Sequence, residues 1–246
     1  MTVIEAQDLC KNYGTRQAVS ALDLRVDAGE MVALVGENGA GKTTALALLS
    51  GQLVPDRGQA RIGGHDVFGQ PLQARQLLGY VSQDLPPPSH LTIDEMAEFV
   101  CQVKGQPLDQ PQLQRLLRLS GLDQDANRLI GELSHGMQRK TSWVMALIAN
   151  PQALLIDEGL AGLDAASRDA LVAETANRLN RGAGVLWTEH DLTPVVSQLA
   201  RVVVLHRGRL HARVSGDEIR QIAATGQLAA QMAAWTRGDA HLDPGG

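Results

Sequence analysis

The stretch Gly36-Glu37-Asn38-Gly39-Ala40-Gly41-Lys42-Thr43 fits the pattern G-x-x-x-x-G-K-[ST] at every fixed position. Such a loop binds nucleotide phosphates, because its glycines let backbone amides close around the negative charge and the next helix adds its positive end. Lys42 is expected to reach the β- and γ-phosphates, and the hydroxyl of Thr43 to bind Mg²⁺. We therefore predict that residues 36–44, Thr44 included, bind a nucleotide.

The sequence on both sides of this loop supports the prediction. Met31 to Val35 is a short apolar run that is typical of a buried parallel strand. Thr44 to Ser50 favours a helix, so strand, glycine loop and helix follow in the required order. The alternative is an ordinary glycine turn, since the chain contains 25 glycines. The Lys-Thr pair and the flanking pattern favour the phosphate site.

Composition limits the class of protein. A chain of 246 residues forms one large domain or two small ones. The net charge of −5 and the aromatic content of 3 % argue against a nucleic-acid partner. Cys10 and Cys101 are far apart, as expected for reduced thiols of a cytoplasmic protein. The N-terminus shows no signal-peptide pattern, and no window of about 18 apolar residues predicts a membrane span.

The pattern of elements predicts an α/β fold. Strands are expected at Val3–Leu9 and Ala18–Val26, and a further strand pair at Gln59–Ile62 and Gly79–Ser82. Beyond these, residues 84–150 read as an inserted helical subdomain that begins with the stiff run Pro86–Pro88. Its predicted helices are Thr92–Val103, Leu108–Leu119 and Ser134–Ala149, and in the second Leu113, Leu116, Leu117 and Ser120 share one face.

Strand patterns return after the helical segment. Apolar runs at 153–156, 184–187 and 201–205, with a helix predicted at Ala165–Leu179, indicate parallel strands with crossover helices. One further helix is expected from Gly216 to about Trp235, followed by a flexible tail of about residues 236–246. We expect a single domain, 1–246, with a mainly parallel sheet, an N-terminal antiparallel β subdomain and the helical insert.

A second constellation lies at the end of a predicted strand. The apolar run Ala153-Leu154-Leu155-Ile156 ends in Asp157 and Glu158. In phosphoryl-transfer enzymes an acid at this position holds Mg²⁺ opposite the glycine loop, which suits Asp157, acting through a water molecule. Glu158 would then act as general base or orient the attacking water. The alternative is that the two carboxylates simply begin a loop.

At this point the chain resembles the ATP-binding subunits of ABC transporters, which contain a P-loop NTPase core. The resemblance runs from about Ile4 to Val214. Five further segments stand in the order of that family's motifs: Lys11–Gly14, Gly79–Gln83, Leu133–Met137, Ala161–Asp164 and Thr188–Asp191. Tyr13 then matches the aromatic residue that stacks on adenine. Gln83 matches the glutamine that touches Mg²⁺ and senses the partner.

The remaining matches concern the ATP that two subunits of this family bind together. Ser134 and Gly136 match signature residues that bind the γ-phosphate held by the other subunit. Asp164 matches a loop that crosses to that subunit, and His190 matches the switch histidine near the γ-phosphate. Each residue also has a plain structural interpretation. Tyr13 could be a turn aromatic, Gln83 a strand-end amide and His190 a loop histidine, while Ser134 and Asp164 could simply cap helices. The order and spacing of seven motifs favour the functional interpretation.

The chain also departs from the family pattern. In the common signature L-S-G-G-Q, His135 replaces the first glycine and Met137 the glutamine. Met137 resembles the signature of exporter-type subunits. Gly159 follows Asp157-Glu158 where the family usually has proline, which places the rigidity of that loop in question.

The resemblance implies a head-to-tail dimer, of two copies or a mixed pair, that holds two ATP molecules at its interface. It also implies a separate polytopic permease subunit, docked between Gln83 and the helical insert, near Pro86–Pro88 and Leu91. Those prolines could equally form only a loop. The expected function is an ATPase that drives a transporter, with export favoured, on the inner face of the cell membrane.

The glycine loop also occurs in two other classes of protein. A non-transport ATPase of the same fold, acting on ribosomes or DNA, typically carries two cassettes or a basic surface, and this chain has neither pattern. A small-molecule kinase or GTPase would use the glycine loop but leave Ser134, Gly136, Asp164 and His190 without a role.

Overall fold

The computed structural model describes residues 1–83 and 87–237, which form ten β-strands and eight α-helices. The strands are β1 (Thr2–Tyr13), β2 (Arg16–Asp27), β3 (Met31–Val35), β4 (Arg57–Ile62), β5 (His65–Asp66), β6 (Leu78–Val81), β7 (Ala153–Asp157), β8 (Gly184–Thr188), β9 (Leu199–His206) and β10 (Arg209–Ser215). The helices are α1 (Lys42–Leu49), α2 (Pro71–Leu77), α3 (Ile93–Val103), α4 (Gln110–Ser120), α5 (His135–Ile148), α6 (Ala165–Asn180), α7 (Gly216–Ala224) and α8 (Leu228–Arg237).

The central sheet contains six strands in the order β10-β9-β3-β8-β7-β6. All neighbours in it are parallel except β10, which pairs antiparallel with β9. Every residue of β3, β7 and β8 is buried, because the sheet is covered on both faces, and this explains their continuous apolar sequences. The predicted parallel sheet of a P-loop NTPase is confirmed, whereas the edge strand β10 was not predicted.

The N-terminal strands form a separate antiparallel sheet in the order β2-β1-β4-β5, as expected. The prediction that Gln59–Ile62 and Gly79–Ser82 form a strand pair is wrong. Both segments are strands, but β4 pairs with β1 and β6 pairs with β7. Helix α2, which was not predicted, carries the chain from one sheet to the other. Strands β4 and β6 therefore belong to different sheets, and each pairs with a neighbour that satisfies its backbone hydrogen bonds.

Three helices fill most of the segment between residues 87 and 150, and their starts follow capping rules. Thr92 and Glu95 form a capping box at α3, while Asp109 caps α4 and Ser134 caps α5. On α4 the predicted inner face, Leu113, Leu116, Leu117 and Ser120, is buried. These predicted helices are therefore confirmed. The boundaries of a helical subdomain at about 84–150 stay a prediction, and residues 84–86 lie outside the described residues.

The C-terminal segment differs from the prediction of one helix from Gly216 to Trp235. Helix α7 ends at Ala224 and α8 begins at Leu228, so the prediction of a continuous helix is wrong. Gly226 between them has φ of 73°, a left-handed conformation that ends a helix and that glycine adopts without a steric cost. Of the predicted flexible tail, Thr236 and Arg237 belong to α8, and residues 238–246 lie outside the described residues.

Two apolar cores cover the two faces of the central sheet. Met31, Ala33 and Val35 of β3 point into the core shared with α3 to α8, while Val32 and Leu34 point into the core shared with α1 and the antiparallel sheet. This alternation is the period of two that a strand imposes. Because β3, β7 and β8 are parallel, the loops after them meet at one edge of the sheet.

The described residues add two further observations. Cys10 and Cys101 are both buried and both free. Among helices within 1–83 and 87–237, none has the length and apolar character required to cross a bilayer.

Candidate nucleotide site

The loop between β3 and α1 is closed so tightly that two of its positions accept only glycine. A Cβ atom at Gly41 would lie 2.2 Å from the carbonyl oxygen of Ala18, and the φ of Gly41 is 108°. A Cβ atom at Gly36 would lie 2.4 Å from the carbonyl oxygen of Leu205. Helix α1 starts at Lys42, immediately after the loop. The result is a concave backbone at a helix N-terminus, which fits the phosphates of a nucleotide.

Lys42 lies inside this loop with 7 % of its surface exposed. Its Nζ donates to the carbonyl oxygens of Gly36 at 2.7 Å and Glu37 at 3.3 Å. Burial lowers the pKa of Lys42, and the nearby carboxylates of Glu158 and Asp157 act in the opposite direction. The ammonium is therefore a partly desolvated cation held at the loop, as a phosphate-binding lysine requires.

Asp157 ends β7 and is 1 % exposed. Its Oδ1 accepts a hydrogen bond of 2.6 Å from the hydroxyl of Thr188, while its Oδ2 is buried with no hydrogen-bond partner among the described residues. Burial raises the pKa of Asp157, and the side chains of Thr188 and Thr43 counteract that rise. An unpaired buried carboxylate oxygen beside a threonine hydroxyl is suited to Mg²⁺, which binds oxygen ligands. These residues therefore fit the predicted metal.

The side chain of Glu158 contacts two residues that are distant from it in sequence, Gln83 and His190. Its Oε2 accepts a hydrogen bond of 2.9 Å from Gln83 Nε2, and its Oε1 lies 3.1 Å from His190 Nε2. The backbone of Glu158 has φ of 47°, in the left-handed region that non-glycine residues rarely adopt. Its amide is fixed by the carbonyl and hydroxyl oxygens of Thr188, at 3.0 and 3.2 Å. The structure thus brings Gln83, Glu158 and His190 together, as their predicted roles require.

These residues surround an open cleft of about 400 Å³. The predicted residues that line it are Tyr13, Asn38, Gly39, Gly41, Lys42, Thr43, Thr44, Gln83, Glu158 and His190. Tyr13 ends β1 and is 52 % exposed, so its ring is available to a ligand. Gly36 and Glu37 instead line a neighbouring cleft against α8, and Ala40 is buried within the loop.

Ser134, Gly136 and Asp164 do not line this cleft in their own chain. Ser134 caps α5 by accepting from the amide of Met137, and Asp164 caps α6 by accepting from the amide of Ser167. Both plain structural interpretations are therefore correct, but Ser134 and Asp164 also remain exposed. A Cβ atom at Gly136 would lie 3.0 Å from the carbonyl oxygen of Gly162, so the two loops lie side by side.

Three residues near the cleft were not among the predicted site residues. Arg16 lines it and donates from Nη2 to the carbonyl oxygen of Gly39 at 2.9 Å. Thr188 holds both Asp157 and the amide of Glu158. Glu189 accepts from the amide of Leu160 at 3.0 Å, and burial raises its pKa. Thr188 and Glu189 were recognisable as polar residues at the end of a strand beside His190, whereas nothing in the sequence around Arg16 pointed to the loop.

Comparison with known proteins agrees with this geometry. The family model described as ABC transporter matches residues 19–161. The chain is 33 % identical to a sulfate/thiosulfate import ATP-binding protein of Methylococcus capsulatus, over 90 % of this chain and 66 % of that protein. It is 30 % identical to the lipopolysaccharide export system ATP-binding protein of Haemophilus influenzae, over 89 % of this chain and 93 % of that protein.

A solved structure of an ATP-binding subunit of an ABC transporter superposes with a TM-score of 0.83 at 29 % identity, covering 94 % of this chain and 99 % of that one. These relatives serve both import and export, and they do not favour a ribosome- or DNA-directed function. The chain therefore belongs to the ABC transporter family, as an ATP-binding subunit that binds ATP with Mg²⁺ and hydrolyses ATP to power a membrane transporter.

Proposed function

We propose that the cleft between Lys42 and Glu158 is the site of ATP hydrolysis and that a second subunit completes it. The observation that carries this proposal is the convergence of Gln83 and His190 on the carboxylate of Glu158, at 2.9 and 3.1 Å. These groups lie across the same cleft as the phosphate-binding loop. A water molecule between Glu158 and the terminal phosphate would therefore be placed for attack.

The loop and Lys42 supply the positive charge for the triphosphate. Lys42 now donates to two loop carbonyl oxygens, which phosphate oxygens can replace without moving the ammonium out of the loop. As the bond between the γ-phosphorus and the bridging oxygen breaks, negative charge develops on the phosphate oxygens. Lys42 and the amides at the start of α1 stabilise that charge. Tyr13, exposed at the rim, offers a flat apolar surface to the adenine ring.

The other predicted side chains of the site would hold Mg²⁺ or orient the attacking water. Asp157, Thr43 and Gln83 would hold Mg²⁺, Asp157 through its unpaired Oδ2. Mg²⁺ bound there would neutralise charge on the phosphate oxygens. Glu158 orients the attacking water or accepts its proton, and His190 keeps the carboxylate directed at the cleft. The products are ADP and inorganic phosphate.

The second subunit accounts for the residues that lie away from the cleft. Ser134 and Asp164 are exposed at the N-termini of α5 and α6. A helix N-terminus with a free hydroxyl binds phosphate well. We assign Ser134 and Gly136 to the γ-phosphate held by the other subunit, with Asp164 at the crossing between them. The dimer would then be stable only while the γ-phosphate is present.

The test is Glu158→Gln, which keeps the size and hydrogen bonding of the side chain but removes its charge. We expect the variant to bind ATP normally and to hydrolyse it about 10²–10³-fold more slowly, so that an ATP-bound dimer accumulates. Single-turnover hydrolysis and size-exclusion chromatography with ATP measure the two effects. Near-wild-type hydrolysis in a single turnover would remove Glu158 from the reaction.

We assign export as the direction of transport. Support comes from Met137 in the signature segment and from the relative that serves lipopolysaccharide export and matches over 93 % of its length. The same function places the chain on the inner, cytoplasmic face of the cell membrane, where ATP is available. When this chain and the co-purified permease are reconstituted in proteoliposomes, cell extract added to the face that carries this chain should stimulate ATP hydrolysis. Stimulation from the opposite face alone would indicate import.

The permease is expected to dock between Gln83 and the helices of the insert. Pro87, Pro88 and Leu91 are described there, while Pro86 lies outside the described residues. Helix α3 adds two exposed apolar side chains, Phe99 and Val103, each 54 % exposed. Phe99 and Val103 are four residues apart and lie on the same side of α3, so both could contact one partner. Cross-links from Leu91 to a co-purified polytopic membrane protein would support this location, and cross-links from β2 alone would contradict it.

A further inference from the structure

Gly159 stands directly after the proposed catalytic glutamate. A glycine supplies no stiffness of its own, so the loop must be held by its surroundings. A Cβ atom at Gly159 would lie 2.6 Å from Cγ2 of Ile156 and 2.9 Å from Cζ2 of Trp143. The space that a side chain at position 159 would need is therefore occupied by Ile156 and by the indole ring of Trp143.

Trp143 holds the loop at Gly159 by packing and by a hydrogen bond. It lies on α5, has no exposed surface, and donates from its indole Nε1 to the carbonyl oxygen of Gly159 at 2.8 Å. A buried carbonyl oxygen held by a buried N–H is costly to release, since neither group finds another partner. This bond fixes the peptide between Gly159 and Leu160, one residue beyond Glu158.

The indole ring of Trp143 also contacts strand β8. The ring of Trp143 packs on that of Trp187, with centroids 5.6 Å apart and planes tilted by 53°. Trp187 is followed by Thr188, which accepts from the amide of Glu158. Trp143 thus bonds to Gly159, directly after Glu158, and packs on the strand whose next residue holds the Glu158 amide. The left-handed φ of 47° at Glu158 needs such support.

We propose that Trp143 is a positioning residue for ATP hydrolysis: its indole N–H holds the Gly159 carbonyl and so keeps the Glu158 carboxylate directed at the cleft. This inference rests on the proposed role of Glu158. Helix α5 also begins at the cap Ser134, so the helix that would contact the other subunit's phosphate also holds the Gly159 carbonyl.

The experiment is Trp143→Phe, which keeps an aromatic ring and removes the N–H donor. The matched control is Trp235→Phe on α8, because Trp235 is also fully buried and its Nε1 has no partner among the described residues. We expect Trp143→Phe to lower kcat by up to about 100-fold, while KM and the dissociation constant for ATP stay unchanged. Trp235→Phe should leave kcat unchanged. Equal kcat in the two variants would overturn the proposal.

A second variant covers the case in which Trp143→Phe does not fold. Incorporation of β-(3-benzothienyl)alanine at position 143 keeps the shape of the indole and replaces the N–H with sulfur. A loss of kcat with normal ATP binding supports the proposal, and normal kcat overturns it. Glu158→Gln separates the two hypotheses. If Glu158→Gln is inactive and the sulfur analogue is fully active, only the positioning role fails; if Glu158→Gln hydrolyses ATP normally, the role of Glu158 itself fails.

Discussion

Thr188 shows how much of the proposed metal site depends on one hydroxyl. It donates to Asp157 at 2.6 Å and accepts from the amide of Glu158 at 3.2 Å, so it orients both acidic residues. Without this donor, Asp157 Oδ1 would join Oδ2 as an unpaired buried oxygen. Outer groups of this kind commonly set metal affinity, because they fix the direction of the ligand.

We expect Thr188→Val to raise the Mg²⁺ concentration for half-maximal ATP hydrolysis by about 10–100-fold. Titration of Mg²⁺ at saturating ATP measures this, and ATP binding without Mg²⁺ should not change. Thr188→Ser is the matched control, since it keeps the hydroxyl and should preserve the wild-type titration. Identical Mg²⁺ curves for the valine and serine variants would show that the hydroxyl does not support the metal site.

At the scale of elements, the starts of helices carry two tasks at once. The hydroxyl of Ser134 caps α5 and, in the proposed dimer, contacts a phosphate of the other subunit. The two tasks can be separated, because glycine at an N-cap costs only a few tenths of a kcal/mol whereas alanine costs about 1 kcal/mol. Ser134→Gly therefore leaves the helix nearly intact and removes the hydroxyl.

We expect Ser134→Gly to keep the urea midpoint of the wild type and, combined with Glu158→Gln, to reduce the ATP-dependent dimer. Size-exclusion chromatography with ATP gives the dimer fraction. Ser215→Gly is the matched control, because Ser215 caps α7 in the same way by accepting from the amide of Glu218. If both glycine variants dimerise alike, Ser134 is only a cap.

At the scale of the whole molecule, a buried ionic cluster joins α4 to α6. Glu174 is 2 % exposed and accepts from Arg115 at 2.7 Å and from Arg178 at 2.8 Å. Burial alone would raise the pKa of Glu174, but the two guanidinium groups outweigh it and lower the pKa to about 2. Removing the carboxylate leaves buried positive charge without compensation, which is strongly destabilising.

We expect Glu174→Gln to lower the free energy of unfolding by about 3 kcal/mol at pH 7. The unfolded-state pKa is 4.5, so the contribution of Glu174 is complete above that pH and is lost as pH falls toward about 2. The difference between the two proteins in urea unfolding should therefore narrow below pH 4.5. Asp8→Asn, in a pair with Arg57 that water screens, should lower the free energy of unfolding far less than Glu174→Gln. Equal losses from both variants would contradict the prediction.

Much of the fold followed from local patterns. The strand, glycine loop and helix around Lys42 were predicted correctly because each depends on neighbours in sequence. The starts of α3, α4 and α5 also lay close to their expected positions, since capping is a local hydrogen bond. Helix α2 was missed because a helix of seven residues gains its stability from the elements it packs against. Strand β10 was missed because, as an edge strand with only two buried residues, it lacks the continuous apolar run of β3, β7 and β8.

The chemical groups of the site could be predicted from local sequence: a glycine loop with Lys42 for phosphates, two carboxylates at the end of a buried strand, and caps at the helix starts. Which of these groups contact each other depends on how the strands and helices pack. Gln83 and Glu158 are 75 residues apart, yet their side chains bond because β6 and β7 are neighbours in the parallel sheet. Trp143 reached Gly159 in the same way, through packing between a helix and a strand end. Local sequence sets which bonds a residue can make, whereas the distance between remote residues depends on how the whole chain packs.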